Sequence, residues 1–313
     1  MIEALNLTKR YGGQVAVNDL SFTVKPGVVT GFLGPNGSGK STTMRLILGL
    51  DAPTAGEVRV NGRRYADFPA PLHEVGALLE ARSVHTGRSA YNHLLVQAQT
   101  HGIPRARVDE LIEFVGLEGV AKKRAGQFSL GMTQRLGIAS ALLGDPEVVM
   151  LDEPINGLDP DGIRWIRELM RTLASEGRTV FLSSHLMSEM AVTADHLIVI
   201  GRGHLIADIS VNEFIRLHSR SVVLVRSPQA GELAQLLSDP AVTTQAKGPE
   251  VLEVEGLTGA QIGEKAAAHN IVLHELAPQQ PTLEEAFMAL TRDEVEFHAS
   301  TPTLRETEGA IAA

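Results

Sequence analysis

The sequence predicts an α/β protein of two domains: a parallel β-sheet with helices and a small antiparallel sheet beside it, followed by a small α+β domain. An apolar strand over 28–33 leads through a glycine-rich loop into a helical pattern over 41–50. Two more short apolar runs, 147–151 and 179–182, are separated by a helical stretch, which is typical of a βαβ unit. The pattern changes near residue 220, where we place a domain boundary.

Length and composition agree with a folded chain of this kind. The 313 residues suffice for two domains of about 150 residues each. Hydrophobic residues make up 43% and charged residues 21%, which is typical of soluble globular chains. The formal net charge of -9 gives no general attraction to phosphate backbones, so we expect no nucleic acid partner. The absence of cysteine excludes disulfides, thiolate metal ligands and cysteine nucleophiles.

Apolar runs of targeting or membrane-spanning length are missing from the sequence. The N-terminal stretch carries Glu3, Lys9 and Arg10 and has no apolar run of signal-peptide length. The longest apolar runs, such as 148–151 and 197–200, are strand-sized and far short of the ~18 residues that cross a bilayer. We therefore expect a cytoplasmic chain that serves any membrane through a partner.

Two turn signals predict the antiparallel sheet. Residues 2–7 and 20–24 have strand patterns and are separated by the glycine pair at 12–13, so a hairpin opens the chain. The strand-like run 58–60 precedes the Asn-Gly turn at 61–62, which predicts a second hairpin.

The other elements follow from periodicity. Helical spacing of apolar residues over 94–120 predicts an inserted helical subdomain at about 81–140. Past residue 220 the predicted order is β-α-β-β-α-β, with strand-like 271–276 and a last helix over 282–290, and this order resembles a ferredoxin-like unit. The predicted divisions are a larger domain over 1–219, a C-terminal accessory domain over 220–291 and a flexible tail over 292–313.

The glycine-rich loop after the first parallel strand matches the phosphate-binding pattern G-x-x-x-x-G-K-[ST] in its strand–loop–helix context. Such a loop points successive backbone N–H groups at phosphate oxygens; Lys40 neutralises the β- and γ-phosphates and the Ser41 hydroxyl ligates magnesium. The alternative is an ordinary glycine-rich turn. The match to the pattern and its position between a strand and a helix favour an ATP-binding loop in a RecA-like P-loop NTPase core. The residues expected at the nucleotide are Gly34, Pro35, Asn36, Gly37, Ser38, Gly39, Lys40, Ser41 and Thr42.

Two acids end the apolar strand at 147–151. Ligands of open α/β sheets bind at the carboxyl ends of the strands, so Asp152 and Glu153 point at the phosphates. Asp152 is suited to hold magnesium through water, and Glu153 to polarise an attacking water as a general base. An isolated acid pair could equally be a solvated helix cap. Because the same sequence contains a P-loop, we expect the two acids to belong to the nucleotide site.

A third motif gives the sequence its resemblance to a known family. Phe128-Ser129-Leu130-Gly131-Met132 lies shortly before the acid pair and resembles the LSGGQ signature of ATP-binding cassette (ABC) ATPases, with Leu130 and Met132 as departures. In isolation a serine and a glycine at a helix start are more often a plain N-cap. The order of P-loop, signature and acid pair along the chain favours the resemblance to ABC ATPases over a plain N-cap. The resemblance covers residues 2 to about 218.

Three further positions extend this resemblance. Asp159, at the end of Ile-Asn-Gly-Leu-Asp, resembles the family's D-loop, and His185 follows strand 179–182 as the family's switch histidine does. Tyr11 is placed where the family has an aromatic that stacks on adenine, although a lone tyrosine in a hairpin often serves packing. The resemblance implies that Ser129, Gly131 and Asp159 bind the nucleotide of a second subunit.

One departure from the family falls in its Q-loop. Aligning 75–79 with the family places Glu80 where a glutamine is usual. A carboxylate there can still reach magnesium or the lytic water, but it adds negative charge near the phosphates. This departure and the Ser-Leu-Gly-Met signature resemble ATPase subunits of bacterial drug and antibiotic exporters of the bacitracin or daunorubicin type. The stretch 281–287 is similar to the end of their accessory domain.

The resemblance implies an ATPase subunit that forms a head-to-tail homodimer around two ATP and magnesium, and that powers a separate integral membrane permease from the inner face of the cell membrane. Catalysis is then expected from Lys40, Glu153 and His185, with Glu80 as a further candidate. One rival is a soluble ABC ATPase that acts on nucleic acid or ribosomes, disfavoured by the single P-loop and the lack of heptad runs. A catalytically dead regulatory module is disfavoured because Lys40, Asp152, Glu153 and His185 are all present.

Overall fold

The structure is a computed structural model that describes residues 1–80, 83–218, 222–279 and 282–291. Its central layer is a six-stranded sheet in the order β5-β6-β7-β3-β8-β9, parallel except for the antiparallel edge strand β9. The predicted flexible tail and Pro281 lie outside the described residues. The strands of this sheet are β3 (Val29–Leu33), β5 (Val75–Leu78), β6 (Val148–Asp152), β7 (Thr179–Ser183), β8 (His196–Gly201) and β9 (His204–Ser210).

Alternating side chains of these strands form two cores on opposite faces of the sheet. Leu33, Leu151 and Leu182 pack into one core with the large helices. Phe32 and Phe181 face the other way, where their ring centroids lie 5.0 Å apart. Burial on both faces explains why these strands are continuous apolar runs.

The second core is covered by the antiparallel sheet and by α1. This sheet has the order β2-β1-β4, and β4 pairs antiparallel with β1. The turn predicted at 61–62 forms, because Val60 and Arg63 exchange two main-chain hydrogen bonds across it, but the predicted second strand does not: the pair is an isolated bridge, and the chain continues into short 3-10 turns. The elements are β1 (Ile2–Tyr11), β2 (Gln14–Val24), β4 (Ala55–Val60) and α1 (Lys40–Ile47).

Helices cover the first core. Asp159 caps the amphipathic helix α5 through a hydrogen bond from the N–H of Gly162 to Oδ1 at 2.9 Å. The helices are α2 (Ala90–Thr100), α3 (Arg105–Phe114), α4 (Leu130–Ala141), α5 (Pro160–Ser175), α6 (Met187–Thr193) and α7 (Val211–His218). None of the helices in the described ranges has the length and hydropathy of a membrane span.

Residues 222–279, which we call the C-terminal unit, form a four-stranded antiparallel sheet in the order β11-β12-β10-β13 with its own apolar core. The last strand begins at Glu275, so the strand predicted over 271–276 is misplaced. This strand includes Pro278, which is tolerated because β13 is an edge strand. The elements are β10 (Val222–Arg226), α8 (Ala230–Leu236), β11 (Thr243–Ala246), β12 (Val251–Glu255), α9 (Gly259–Ala268) and β13 (Glu275–Gln279).

The last helix, α10 (Leu283–Thr291), leaves the C-terminal unit and packs against α7 and α6. Its residues Leu283, Ala286 and Phe287 belong to the first core of the large domain. The chain thus leaves the large domain after α7 and returns to it with α10. The sequence-based assignment of this helix to the accessory domain is therefore wrong, because periodicity identifies an apolar face but not the surface that covers it.

Candidate nucleotide-binding site

The glycine-rich loop follows β3 and ends at α1, at the carboxyl edge of the central sheet. Gly39 has φ of 102°, a region that favours glycine, and a Cβ there would lie 2.4 Å from the carbonyl oxygen of Ala16. A Cβ at Gly34 would lie 2.5 Å from the carbonyl oxygen of Ile200. Both glycines are therefore required by close backbone approach, which keeps the loop tightly wound beside the sheet.

A cavity of about 460 Å³ opens over this loop. It is lined by the loop and start of α1, by the hairpin of β1 and β2, and by the acids after β6. The predicted nucleotide residues that line it are Tyr11, Asn36, Gly37, Ser38, Gly39, Lys40, Ser41, Thr42, Asp152 and Glu153, together with Gln14 and Ala16.

The Lys40 ammonium lies inside the loop. Its Nζ donates to the carbonyl oxygens of Gly34 at 2.5 Å and Pro35 at 3.1 Å. Burial lowers the pKa of Lys40, and the nearby carboxylates of Glu153 and Asp152 act in the opposite direction. This partly buried ammonium has neutral carbonyls as its hydrogen-bond partners among the described residues, so it is well placed to bind phosphate oxygens.

Asp152, at the end of β6, faces the start of α1. The Ser41 hydroxyl donates to Asp152 Oδ2 at 3.2 Å, and the Ser183 hydroxyl donates to Oδ1. A hydroxyl and a carboxylate are oxygen donors of the kind that magnesium prefers, with its other positions taken by water and phosphate oxygens. The donor set at this point therefore fits magnesium.

Glu153 and His185 form a direct pair. The Nδ1 atom of His185 lies 2.7 Å from Glu153 Oε2, and the main-chain N–H of His185 donates to the same oxygen at 3.3 Å. His185 follows β7, which lies between β6 and the P-loop strand β3 in the sheet. The sheet order thus brings together the histidine, both acids and the phosphate loop, which are far apart in sequence.

Tyr11 lines the cavity at the end of β1, with its side chain partly exposed. Its hydroxyl donates to Asp51 Oδ2 at 2.9 Å, and Lys9 Nζ lies 4.9 Å from the ring centroid. Asp51 also accepts from Arg45 Nε at 2.7 Å. These contacts hold the ring at the mouth of the cavity, where it can contact a base.

The signature residues lie outside this cavity. Ser129 is the N-cap of α4 and accepts from the N–H of Met132 at 3.2 Å. Gly131 packs against the D-loop stretch, because a Cβ there would lie 2.7 Å from the carbonyl oxygen of Gly157. Gly131 therefore lies against the D-loop stretch, and Ser129, Gly131 and Asp159 do not line the P-loop cavity of their own chain.

Glu80 lies two residues beyond β5 and is exposed. The β5 strand pairs with β6, so Glu80 lies at the same edge of the sheet as Glu153. It does not line the cavity over the P-loop. The structure thus places Glu80 at the same sheet edge as the acids, but its side chain does not line the nucleotide cavity.

Sequence reasoning missed two polar residues of this site. Ser183 bonds to Asp152, and its Oγ accepts from the N–H of Glu153 at 3.3 Å. Gln134 donates from Nε2 to the carbonyl oxygen of Glu153 at 3.2 Å. No spacing pattern identifies such contacts, although a polar residue at the end of an apolar strand is a usable signal for Ser183.

Comparisons with known proteins agree with this geometry. The ABC transporter family matches residues 17–156, and a domain of unknown function matches 221–284. The bacitracin transport ATP-binding protein BcrA of Bacillus licheniformis is 44% identical over 212 residues, which cover 67% of this chain and 69% of BcrA. The uncharacterized ABC transporter ATP-binding protein YhcH of Bacillus subtilis is 35% identical over 294 residues, which cover 93% of this chain and 96% of YhcH.

A solved structure shows the same fold. It is a dimeric ATP-binding cassette in a post-hydrolysis state bound to ADP and Pi, with a TM-score of 0.60 and 25% identity. The match covers 67% of this chain and 99% of that one. On this sequence and structural similarity, the chain belongs to the ABC transporter family and is one of its ATP-binding ATPase subunits.

Proposed function

We propose that this chain powers a separate integral membrane permease by ATP hydrolysis, acting at the inner face of the membrane, to export an antibiotic, a drug or a lipid-like compound. The observation that carries the proposal is the convergence of Lys40, Asp152 and Glu153 on one cavity, with His185 in direct contact with the carboxylate of Glu153. The similarity to a bacitracin transport protein supports export of an antibiotic-like compound.

Substrate binding follows from the loop geometry. The N–H groups of the loop and of the first turn of α1 surround the phosphates of ATP, and the positive end of the helix dipole adds to their effect. Lys40 exchanges its bonds to the loop carbonyls for bonds to the β- and γ-phosphates. Magnesium, when bound by Ser41 and by Asp152 through water, neutralises charge on the phosphate oxygens.

Hydrolysis uses the carboxylate of Glu153 as the general base. It accepts a proton from a water whose oxygen bonds to the γ-phosphorus, while the bond from that phosphorus to the bridging oxygen breaks and ADP leaves. His185 holds the carboxylate by its contact of 2.7 Å to Oε2. Positioning and charge neutralisation supply most of the rate enhancement in this chemistry.

A second subunit completes each site. Ser129, Gly131 and Asp159 lie outside their own P-loop cavity, which supports a head-to-tail homodimer in which they contact the partner's ATP. Nucleotide binding then closes the dimer and hydrolysis opens it. This motion is what the chain transmits to the permease, which we place against the helical region after Glu80.

The variant Glu153→Gln tests this function, because it keeps the site's shape and removes the base. We expect it to bind ATP, to lose steady-state hydrolysis and to accumulate as a dimer. A tagged copy, incubated with magnesium and ATP in detergent-solubilised host cells, should recover a polytopic membrane protein in near-equal amount, identified by mass spectrometry.

The control is Glu168→Gln, the same chemical change on the exposed face of α5. It should hydrolyse ATP like the native chain and form no trapped dimer. Recovery of ribosomes or DNA-bound proteins instead of a membrane protein would contradict the proposed transport function and indicate a soluble ABC ATPase. Native rates of hydrolysis in Glu153→Gln would contradict the assignment of the base.

A further inference from the structure

Gln134 is a buried polar residue that the mechanism above does not use. It lies in α4, one turn after the helix start at Ser129, and its side chain is only 1% exposed. Its Nε2 donates to the main-chain carbonyl oxygen of Glu153 at 3.2 Å. A buried amide must be hydrogen-bonded to offset its desolvation, so this bond is a specific contact between the signature helix and the segment after β6.

The backbone at Glu153 requires such support. Its φ is 50°, in the left-handed region that a glutamate rarely adopts. Its N–H donates to the carbonyl oxygen of Ser183 at 3.2 Å, and its own carbonyl accepts from the N–H of Asn156 at 3.2 Å as well as from Gln134. A strained conformation at a functional residue persists only where its surroundings hold it, and here both peptide groups of the residue are held.

The start of α4 also packs directly on the residues that follow the base. A Cβ at Gly157 would lie 2.4 Å from Leu130 side-chain atoms, and a Cβ at Gly131 would lie 2.7 Å from the carbonyl oxygen of Gly157. Glycine at both positions therefore lets the start of α4 pack directly on the main chain at residue 157. The hydrogen bond of Gln134 is the polar part of the same contact.

We propose that Gln134 is a positioning residue for Glu153. Its hydrogen bond holds the main chain of Glu153 in the conformation that directs the carboxylate towards the lytic water. The inference rests on the proposed function, in which Glu153 is the base. In the head-to-tail dimer, Ser129 and Gly131 at the start of α4 contact the partner's ATP. The hydrogen bond from Gln134 to Glu153 therefore connects the helix that contacts the partner's ATP to the general base that acts on the ATP bound by its own chain.

The first test removes the donor and keeps the length of the side chain. In Gln134→Met we expect kcat for ATP to fall about tenfold, which corresponds to one lost hydrogen bond of about 1.4 kcal/mol. The dissociation constant of ATP, measured by equilibrium binding, should stay within about twofold of the native value, because Gln134 does not line the cavity. The matched control is Ser140→Ala in the same helix, whose buried hydroxyl has no hydrogen-bond partner among the described residues and whose loss should leave kcat unchanged.

The second test restores the donor by protonation. In Gln134→Glu the neutral carboxylic acid can donate to the Glu153 carbonyl, whereas the carboxylate cannot. We expect the ratio of its kcat to the native kcat to exceed the corresponding ratio of Gln134→Met at about pH 6, and to fall towards that ratio as the pH rises to about 9. A role in packing alone would give the same deficit at every pH.

Two results would overturn the inference: native kcat in Gln134→Met, or a ratio for Gln134→Glu no higher than that of Gln134→Met throughout the pH range. Either can occur while the native chain hydrolyses ATP and Glu153→Gln does not, which leaves the proposed function intact. Failure of the native chain to hydrolyse ATP would instead contradict the proposed function.

Discussion

At the scale of single residues, His93 shows how burial changes the ionisation of a side chain. It lies in α2 with 7% of its surface exposed, and within the described contacts its Nδ1 has no hydrogen-bond partner. Burial lowers the pKa of His93, and the nearby positive groups of Arg88 and His85 lower it further. The folded protein therefore binds this proton more weakly than the unfolded chain does.

This shift predicts an acid-sensitive contribution to stability. Below the unfolded pKa of about 6.5 the unfolded chain gains the proton first, so the free energy of unfolding falls as the pH falls. We expect Tm to fall less steeply between about pH 6.5 and pH 5 in His93→Gln than in the native chain. Thermal scans over a pH series check this, and His269→Gln, at an exposed histidine after α9, should keep the native slope. Parallel native and His93→Gln curves would contradict the prediction.

The sequence identified the residues of the site that form local patterns, and missed those that act through distant main-chain contacts. Asp152 and Glu153 follow an apolar strand, and strand ends are where ligands bind, so their position was predictable. Gln134 reaches a carbonyl 19 positions away, and Ser183 reaches an N–H 30 positions away. Such bonds depend on how whole helices and strands pack together, and the periodicity of apolar residues gives no information on that packing.

At the scale of elements, the P-loop shows what a short motif requires of its neighbours. The close approach of Gly39 to Ala16 ties the loop to β2, so the glycine serves the packing of the loop as well as its contact with phosphate. The sequence pattern predicts the glycine, but not the strand that approaches it.

Gly39→Ala should therefore impair ATP binding. Its φ of 102° and the 2.4 Å approach to the Ala16 carbonyl leave no room for a Cβ. With strain of about 1–3 kcal/mol, we expect the ATP dissociation constant to rise about tenfold or more. Calorimetric titration measures this, with Gly13→Ala in the β1–β2 turn as the control, since a Cβ there meets nothing within 4 Å. Equal affinities in the two variants would show that the loop adapts.

The two elements that were predicted wrongly share a physical cause. The residues at 61–62 form the predicted tight turn, but β4 pairs with β1, which comes earlier in the chain, and the residues after the turn form no second strand. The apolar residues at 271–276 have a strand-like composition, yet the strand itself is the more polar stretch from Glu275 to Gln279 at the sheet edge. Pairing partners and edge positions are set by the tertiary fold, so local composition does not identify them.

At the scale of the whole molecule, the chain joins its C-terminal unit to the large domain at both ends. The unit begins after α7 and ends before α10, and these two helices pack against each other. Because α10 also packs on α6, which follows His185, the end of the described chain supports the helix next to the nucleotide site. Two connections restrict the motion of the unit more than a single linker would.

Phe287→Ala tests whether α10 is part of the large domain's core. The ring is 7% exposed and belongs to the same core as the helices of that domain, so its removal should lower the free energy of unfolding by about 3–5 kcal/mol. Met288→Ala on the same helix, at a side chain that is 63% exposed, should change it by about 0.5 kcal/mol or less. Urea unfolding followed by far-UV circular dichroism measures both. If α10 were instead a loose appendage, the two variants would unfold at the same urea concentration as the native chain.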